Sequence, residues 1–161
     1  MSDALFGFEQ DGRYALRRIP MIVRFKLDTI GLRFDFAAWA VLTREERQEL
    51  VDLPCRSESE KQHYRERLHA MLAPHADKAE TRLQEEAVDP APAWAQPVVP
   101  QQVHEALRTL NLDAVSDAQW QGLQALQRFA LIKLTRPGHK NANLPAALRE
   151  FGLAADVSDE A

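Results

Sequence analysis

Apolar residues recur at helical rather than strand spacing along most of this chain. From Pro20 onward, Val23, Leu27 and Ile30 fall on one helical face, with Pro20 suited to a first turn and Gly31 to a left-handed stop. Asp35 is placed to cap a brief helix carrying Trp39 and Leu42. Thr43 and Glu46 have capping-box spacing and predict a helix running through Leu50 to Leu53, halted by Pro54. Ser57 and Glu60 repeat the device and open a helix to Leu72 that buries Tyr64, Leu68, Met71 and Leu72. A polar, helix-prone stretch follows, over residues 76–87. Beyond Pro100 a helix runs to Leu110, with Asn111 at its stop; Ser116 and Gln119 cap the turns holding Trp120 and Leu123. Residues 126–134 are apolar on all sides, which predicts a central helix ended by Pro137 and Gly138. Asn143 and Pro145 open a last helix to Phe151, stopped by Gly152. No alternating run of useful length reads as a strand, so the fold class expected is all-α.

The same pattern is written twice. Residues 20–53 laid on 100–134, with Asp113 as an insertion, pair Pro20 with Pro100, Thr29 with Thr109, Trp39 with Trp120, Arg47 with Arg128 and Leu50 with Leu131. Two unrelated amphipathic hairpins would share a leucine phase; a Trp, an Arg, a Pro and a Thr in register point to duplication. Between the copies, residues 88–100 contain Pro90, Pro92, Pro97 and Pro100, which exclude a regular helix and predict an extended crossover anchored by Trp94. Phe6 and Phe8 suggest that the first residues form an extended strap. The domain organisation expected is one all-α domain over residues 1–153, with pseudo-repeats 20–53 and 100–134, linker 88–100 and a disordered acidic tail at 154–161.

Composition narrows the class. With 161 residues, 45% of them hydrophobic, the chain is long enough and apolar enough for a buried core. A net charge of −4 gives no overall bias toward nucleic acid or membrane, and a single cysteine, Cys55, rules out an internal disulfide. The first residues carry an acid at position 3 and no apolar run, and no stretch is long enough to span a bilayer, so the cytoplasm is expected. Charge is uneven, however. Residues 13–26 carry Arg13, Arg17, Arg18, Arg24 and Lys26 with no acid, and residues 128–140 carry Arg128, Lys133, Arg136 and Lys140 with no acid. One basic pole on an acidic molecule is the expectation.

Chemistry-bearing motifs are few. The loop around Pro137 and Gly138 gathers Lys133, Arg136, His139, Lys140, Asn141 and Asn143, donors suited to an anion or to a partner's carboxylates. The alternative is structural: Asn141 and Asn143 cap the last helix while the cations offset a helix C-terminus. Arg24 and Asp28 are four apart and would pair on their helix. Arg47 and Arg128 are expected to stack on Trp39 and Trp120 or to bond a helix end. Cys55 reads as a small, semi-buried residue. The histidines lack ligand spacing, and neither a phosphate-binding glycine loop nor a carboxylate couple is present, so no metal, cofactor or catalytic residue is expected.

Taken together, the segments holding residues 17–32, 44–55, 127–141 and 147–153 resemble those of the bacterial nitrate reductase-associated proteins over most of the chain. The resemblance implies a non-enzymatic cytoplasmic protein of nitrate assimilation that supports formation of active nitrate reductase. The family's pattern has an acid after the histidine and an aromatic after the second asparagine; Lys140 and Leu144 stand there in this chain and make the loop more basic.

The leading expectation is therefore an accessory protein whose partner is nitrate reductase or its maturation machinery. Contact would be made through Arg18, Arg24, Lys26, Lys133, Arg136, His139, Asn141 and Asn143. The alternative is a carrier or sensor of a small anion or a phosphate-bearing cofactor, with Arg24, Lys26, Arg136 and His139 converging in one pocket. A nucleic-acid regulator is disfavoured by the negative net charge and the lack of a basic reading helix.

Overall fold

The computed structural model describes residues 5–10, 16–137 and 142–154. Eight α-helices and one pair of two-residue strands are found among them. The protein is thus mostly helical rather than purely so. The chain divides into two compact units, Met1–Asp89 and Pro90–Ala161.

The first unit contains α1 (Met21–Ile30), α2 (Phe36–Ala40), α3 (Arg44–Asp52) and α4 (Glu58–Leu72). Pro20 stands at the N-cap of α1, and Gly31 ends it in the left-handed region at φ 73°. An added Cβ on Gly31 would lie 2.6 Å from the carbonyl oxygen of Glu86, so the site demands glycine for space as well as for conformation. Both capping boxes form: Thr43 with Glu46 opens α3, and Ser57 with Glu60 opens α4. Asp35 occupies the N-cap of α2 but its side chain makes no cap bond. The core of this unit is built by Val23, Trp39, Leu50, Tyr64 and Leu68, all fully enclosed.

The polar stretch after α4 is not helical. Pro74 ends α4, a single 3-10 turn spans Ala79–Thr81, and the chain then pairs back on the end of α1. There β1 (Leu32–Arg33) lies antiparallel to β2 (Gln84–Glu85), with Leu32 opposite Glu85 and Arg33 opposite Gln84. Two residues per strand are too short to leave an alternating pattern, which is why the sequence reads as helix throughout. Phe6 and Phe8 stack with centroids 5.2 Å apart, Phe6 at the N-cap and Phe8 in the middle of a 3-10 turn at Gly7–Glu9 rather than an extended strap.

The second unit holds α5 (Gln101–Thr109), α6 (Asp117–Gln121), α7 (Ala125–Leu134) and α8 (Leu144–Glu150). Pro100 is the N-cap of α5, and Asn111 beyond its end takes φ 55°, the left-handed region that asparagine tolerates best after glycine. Ser116 and Gln119 form the capping box of α6. Leu126, Phe129, Ala130 and Leu131 bury α7, in keeping with its all-round apolar sequence. Within residues 88–100 one 3-10 turn forms at Ala93–Ala95, where no proline stands. Asn143 sits at the N-cap of α8 without a side-chain bond, and Gly152 follows it at φ 75°. All of the expected acidic tail but Ala154 lies outside the described residues.

Candidate functional site

Among the cations of residues 16–47, Arg24, Lys26 and Arg47 donate to the protein's own backbone. Lys26 sits on the buried side of α1 among Ile22, Val23, Leu27 and Ile30, only 4% exposed. Its ammonium donates to the carbonyls of Val51 at 2.7 Å and Leu53 at 2.6 Å. Those carbonyls close α3, where Pro54 supplies no amide to the following turn, so the lysine satisfies orphan acceptors at the negative end of a helix. The Tyr64 ring lies 5.9 Å from the ammonium, and the Tyr64 hydroxyl donates to the Leu50 carbonyl at 2.7 Å. Burial pushes the Tyr64 phenol well up, keeping it protonated as a donor. Cys55 lies beside this cluster: its Sγ is 3.8 Å from the Thr29 hydroxyl and 3.9 Å from the Lys26 carbonyl. Burial raises the thiol's pKa, outweighing the Thr29 hydrogen bond and the Lys26 charge, which lower it. A thiol shifted this way is less often present as the thiolate at neutral pH than a free cysteine.

Arg24 is half-buried and its Nε donates to the Ile19 carbonyl at 3.1 Å, whereas Arg18 is exposed. Arg47 lies over the Trp39 ring at 5.4 Å and donates to the carbonyls of Trp39, Leu16 and Ala40. The Trp39 indole donates to the same Leu16 carbonyl at 2.9 Å.

In the second unit Arg128 holds the carbonyls of Leu123 and Trp94, the latter at 2.8 Å, and the Trp120 indole donates to the Gln96 carbonyl at 2.9 Å. Residues 94–96 are thus fastened through backbone oxygens. Lys133 is half-exposed with its ammonium 5.2 Å from the Phe129 ring; Arg136 and Asn143 are exposed. His139 and Asn141 lie outside the described residues. Of the expected contact residues, Arg18, Arg24 and Lys26 therefore belong to the first unit, and Lys133, Arg136 and Asn143 to the second.

Sequence reasoning missed two caps. Gln102 donates to the Ile132 carbonyl at 2.6 Å and to the Thr135 hydroxyl at 2.9 Å, closing the end of α7. Glu9 accepts the Met21 amide at 2.8 Å, placing a carboxylate at the start of α1. Gln102, one residue before Val103 and flanking the apolar stripe of α5, carries a faint signal; Glu9 carries none, because its partner is twelve residues away.

Among the described residues no group of three or more His, Cys, Asp and Glu side chains is placed to hold a metal ion. No described helix is long and apolar enough to cross a membrane. These features define a small, mostly helical protein in which Arg47, Arg128, Trp39, Trp120 and the buried Lys26 hold helix ends and connecting segments. The chain belongs to the family of conserved nitrate reductase-associated proteins, whose model matches residues 5–151. No curated protein and no solved structure shows significant similarity to it.

Proposed function

We propose that this chain is a non-catalytic accessory protein that supports formation or activity of assimilatory nitrate reductase by binding the reductase or a protein that matures it. The observation that carries this reading is the family match, which spans residues 5–151. Contact would be made by exposed cations on each unit taken by itself, Arg18 on the first and Arg136 on the second, the latter close in sequence to Lys133, His139, Asn141 and Asn143. Lys26 is buried and donates to backbone carbonyls, so it would support the fold rather than touch the partner, whereas the half-buried Arg24 stays in the proposed contact. The same carbonyl bonds weigh against a pocket in which Lys26 holds a small anion or a phosphate-bearing cofactor.

Charge at such an interface governs association rate and orientation more than affinity. A pull-down of nitrate reductase by the intact protein tests it. Association is expected at low salt and is expected to weaken as the screening length falls from about 10 Å at 0.1 M to about 3 Å at 1 M. No association even at low salt would overturn the reading. In the host, Arg18→Ala with Arg136→Ala is expected to lower nitrate reductase activity. Both residues are exposed, so unfolding should stay within about 0.5 kcal/mol of wild type. Full activity at normal abundance would show that these cations do not form the contact.

The duplication of residues 20–53 as 100–134, joined by the proline-rich segment 88–100, belongs to the same proposal. In support, the indoles of Trp39 and Trp120 each donate to the carbonyl four residues before the proline N-cap of their copy, Leu16 before Pro20 and Gln96 before Pro100. The carbonyls of Val51 and Ile132 occupy matching positions, and each accepts a side-chain donor from the first helix of its own unit. The donors differ in identity and in place, a lysine in one copy and a glutamine in the other.

A further inference from the structure

Arg128, Lys133 and Arg136 differ in what their charged groups meet within the second unit. Arg128 bonds the carbonyls of Leu123 and Trp94, and the Lys133 ammonium lies over the Phe129 ring. Arg136 is exposed, and no partner for its guanidinium is found among the described residues. The backbone that carries it is nevertheless restrained from both sides. Behind it, Thr135 closes α7 and is 3% exposed. The Thr135 hydroxyl donates to the Leu131 carbonyl at 2.6 Å and accepts from the Gln102 side-chain amide at 2.9 Å. The same amide donates to the Ile132 carbonyl at 2.6 Å, so one half-buried side chain ties the start of α5 to the end of α7. Ahead of it, Pro137 disfavours helical backbone at Arg136.

We propose that Gln102 is a positioning residue: acting through Thr135, it holds the backbone of Arg136 ready to meet a carboxylate of the protein partner, a role that rests on the accessory function proposed above. Gln102 spends its amide on Ile132 and Thr135 and acts on the partner only through Arg136. A guanidinium presents a planar fork that matches a carboxylate. Ordering its backbone beforehand removes a cost otherwise met on binding.

Two measurements on the intact protein test this. Amide hydrogen exchange reads the latch without a partner. Gln102→Leu keeps much of the bulk and removes the donors, and it should speed exchange at Thr135 and Arg136 about fivefold or more. Titrated pull-down of nitrate reductase reads the positioning. Arg136→Ala should weaken association about fivefold or more. Gln102→Leu should weaken it about fivefold, the factor for ordering one residue's backbone. In the Arg136→Ala background, Gln102→Leu should add less than about a twofold change, because both act on one contact. Pro137→Ala relaxes Arg136 from the other side at an exposed position, and should weaken association only while Arg136 is present. Unchanged exchange in Gln102→Leu would overturn the latch. Equal weakening by Gln102→Leu with and without Arg136 would mean a general effect on the fold and would overturn the positioning. Should Gln102→Leu fail to fold, Pro137→Ala decides, and unchanged association would overturn the positioning. No association of the wild type at low salt would overturn the accessory function and the positioning with it, while the exchange result would still decide the latch.

Discussion

The ammonium of Lys26 lies 2.7 Å from the carbonyl oxygen of Val51, deep in the first unit. Removing the donor while keeping the bulk, as Lys26→Met does, leaves the carbonyls of Val51 and Leu53 buried without their cation. The expected loss is about 2–4 kcal/mol in urea unfolding. Lys26→Gln, which keeps a donor, should recover part of it. A Met variant within about 0.5 kcal/mol of wild type would show that water replaces the lysine.

Trp39 and Trp120 both spend their indole N–H on a backbone carbonyl, but the two losses should be unequal. The Leu16 carbonyl keeps Arg47 as a second donor at 3.2 Å after Trp39→Phe. No second donor to the Gln96 carbonyl is found among the described residues. Trp120→Phe is therefore expected to cost about 1–3 kcal/mol, and Trp39→Phe less, in matched denaturation curves. The reverse order would mean that Arg47 depends on the indole for its place.

Gly31 and Gly152 share a left-handed backbone, at φ 73° and 75°, yet only one of them is crowded. Gly152→Ala meets nothing within 4 Å and should cost about 1–2 kcal/mol, the conformational part alone. Gly31→Ala should cost more, because its Cβ would press on the Glu86 carbonyl, and it should raise hydrogen exchange at residues 84–86. Equal costs for the two variants would mean that the segment at Glu86 yields freely.

Glu49 bridges α3 to Arg67 on α4 through both carboxylate oxygens. The Arg67 hydrogen bond, followed by the Arg67 and His63 charges, holds the Glu49 carboxyl below its ordinary 4.5, against an opposing push from burial. A depressed native value means that the unfolded chain binds more protons. The stabilisation is thus complete above about pH 4.5 and is lost as pH falls through the native value. Glu49→Gln should flatten the acid limb of stability below pH 4.5 and leave the slope near neutrality unchanged. An unaltered acid limb would assign that limb to other carboxylates.

The amino-acid sequence by itself determined the helices and their ends. Each signal sits within about four residues of what it controls, as with Thr43 and Glu46, Ser57 and Glu60, Ser116 and Gln119, or the stops at Gly31 and Asn111. It also marked Arg47 and Arg128 as residues that stack on Trp39 and Trp120 or bond a helix end, and gave the family by its motifs. Tertiary structure alone decided where the long side chains go. Lys26 looks like a surface cation in sequence, and only the packing of α1 on α3 brings its ammonium to carbonyls 25 and 27 residues away. The strand pair joins residues about fifty positions apart and is too short to leave a period, so the stretch from 82 to 87 reads as helix until the end of α1 is in place to receive it. Local capping is written in neighbouring residues; the satisfaction of a buried carbonyl by a distant side chain depends on which elements meet, and no short-range pattern records that.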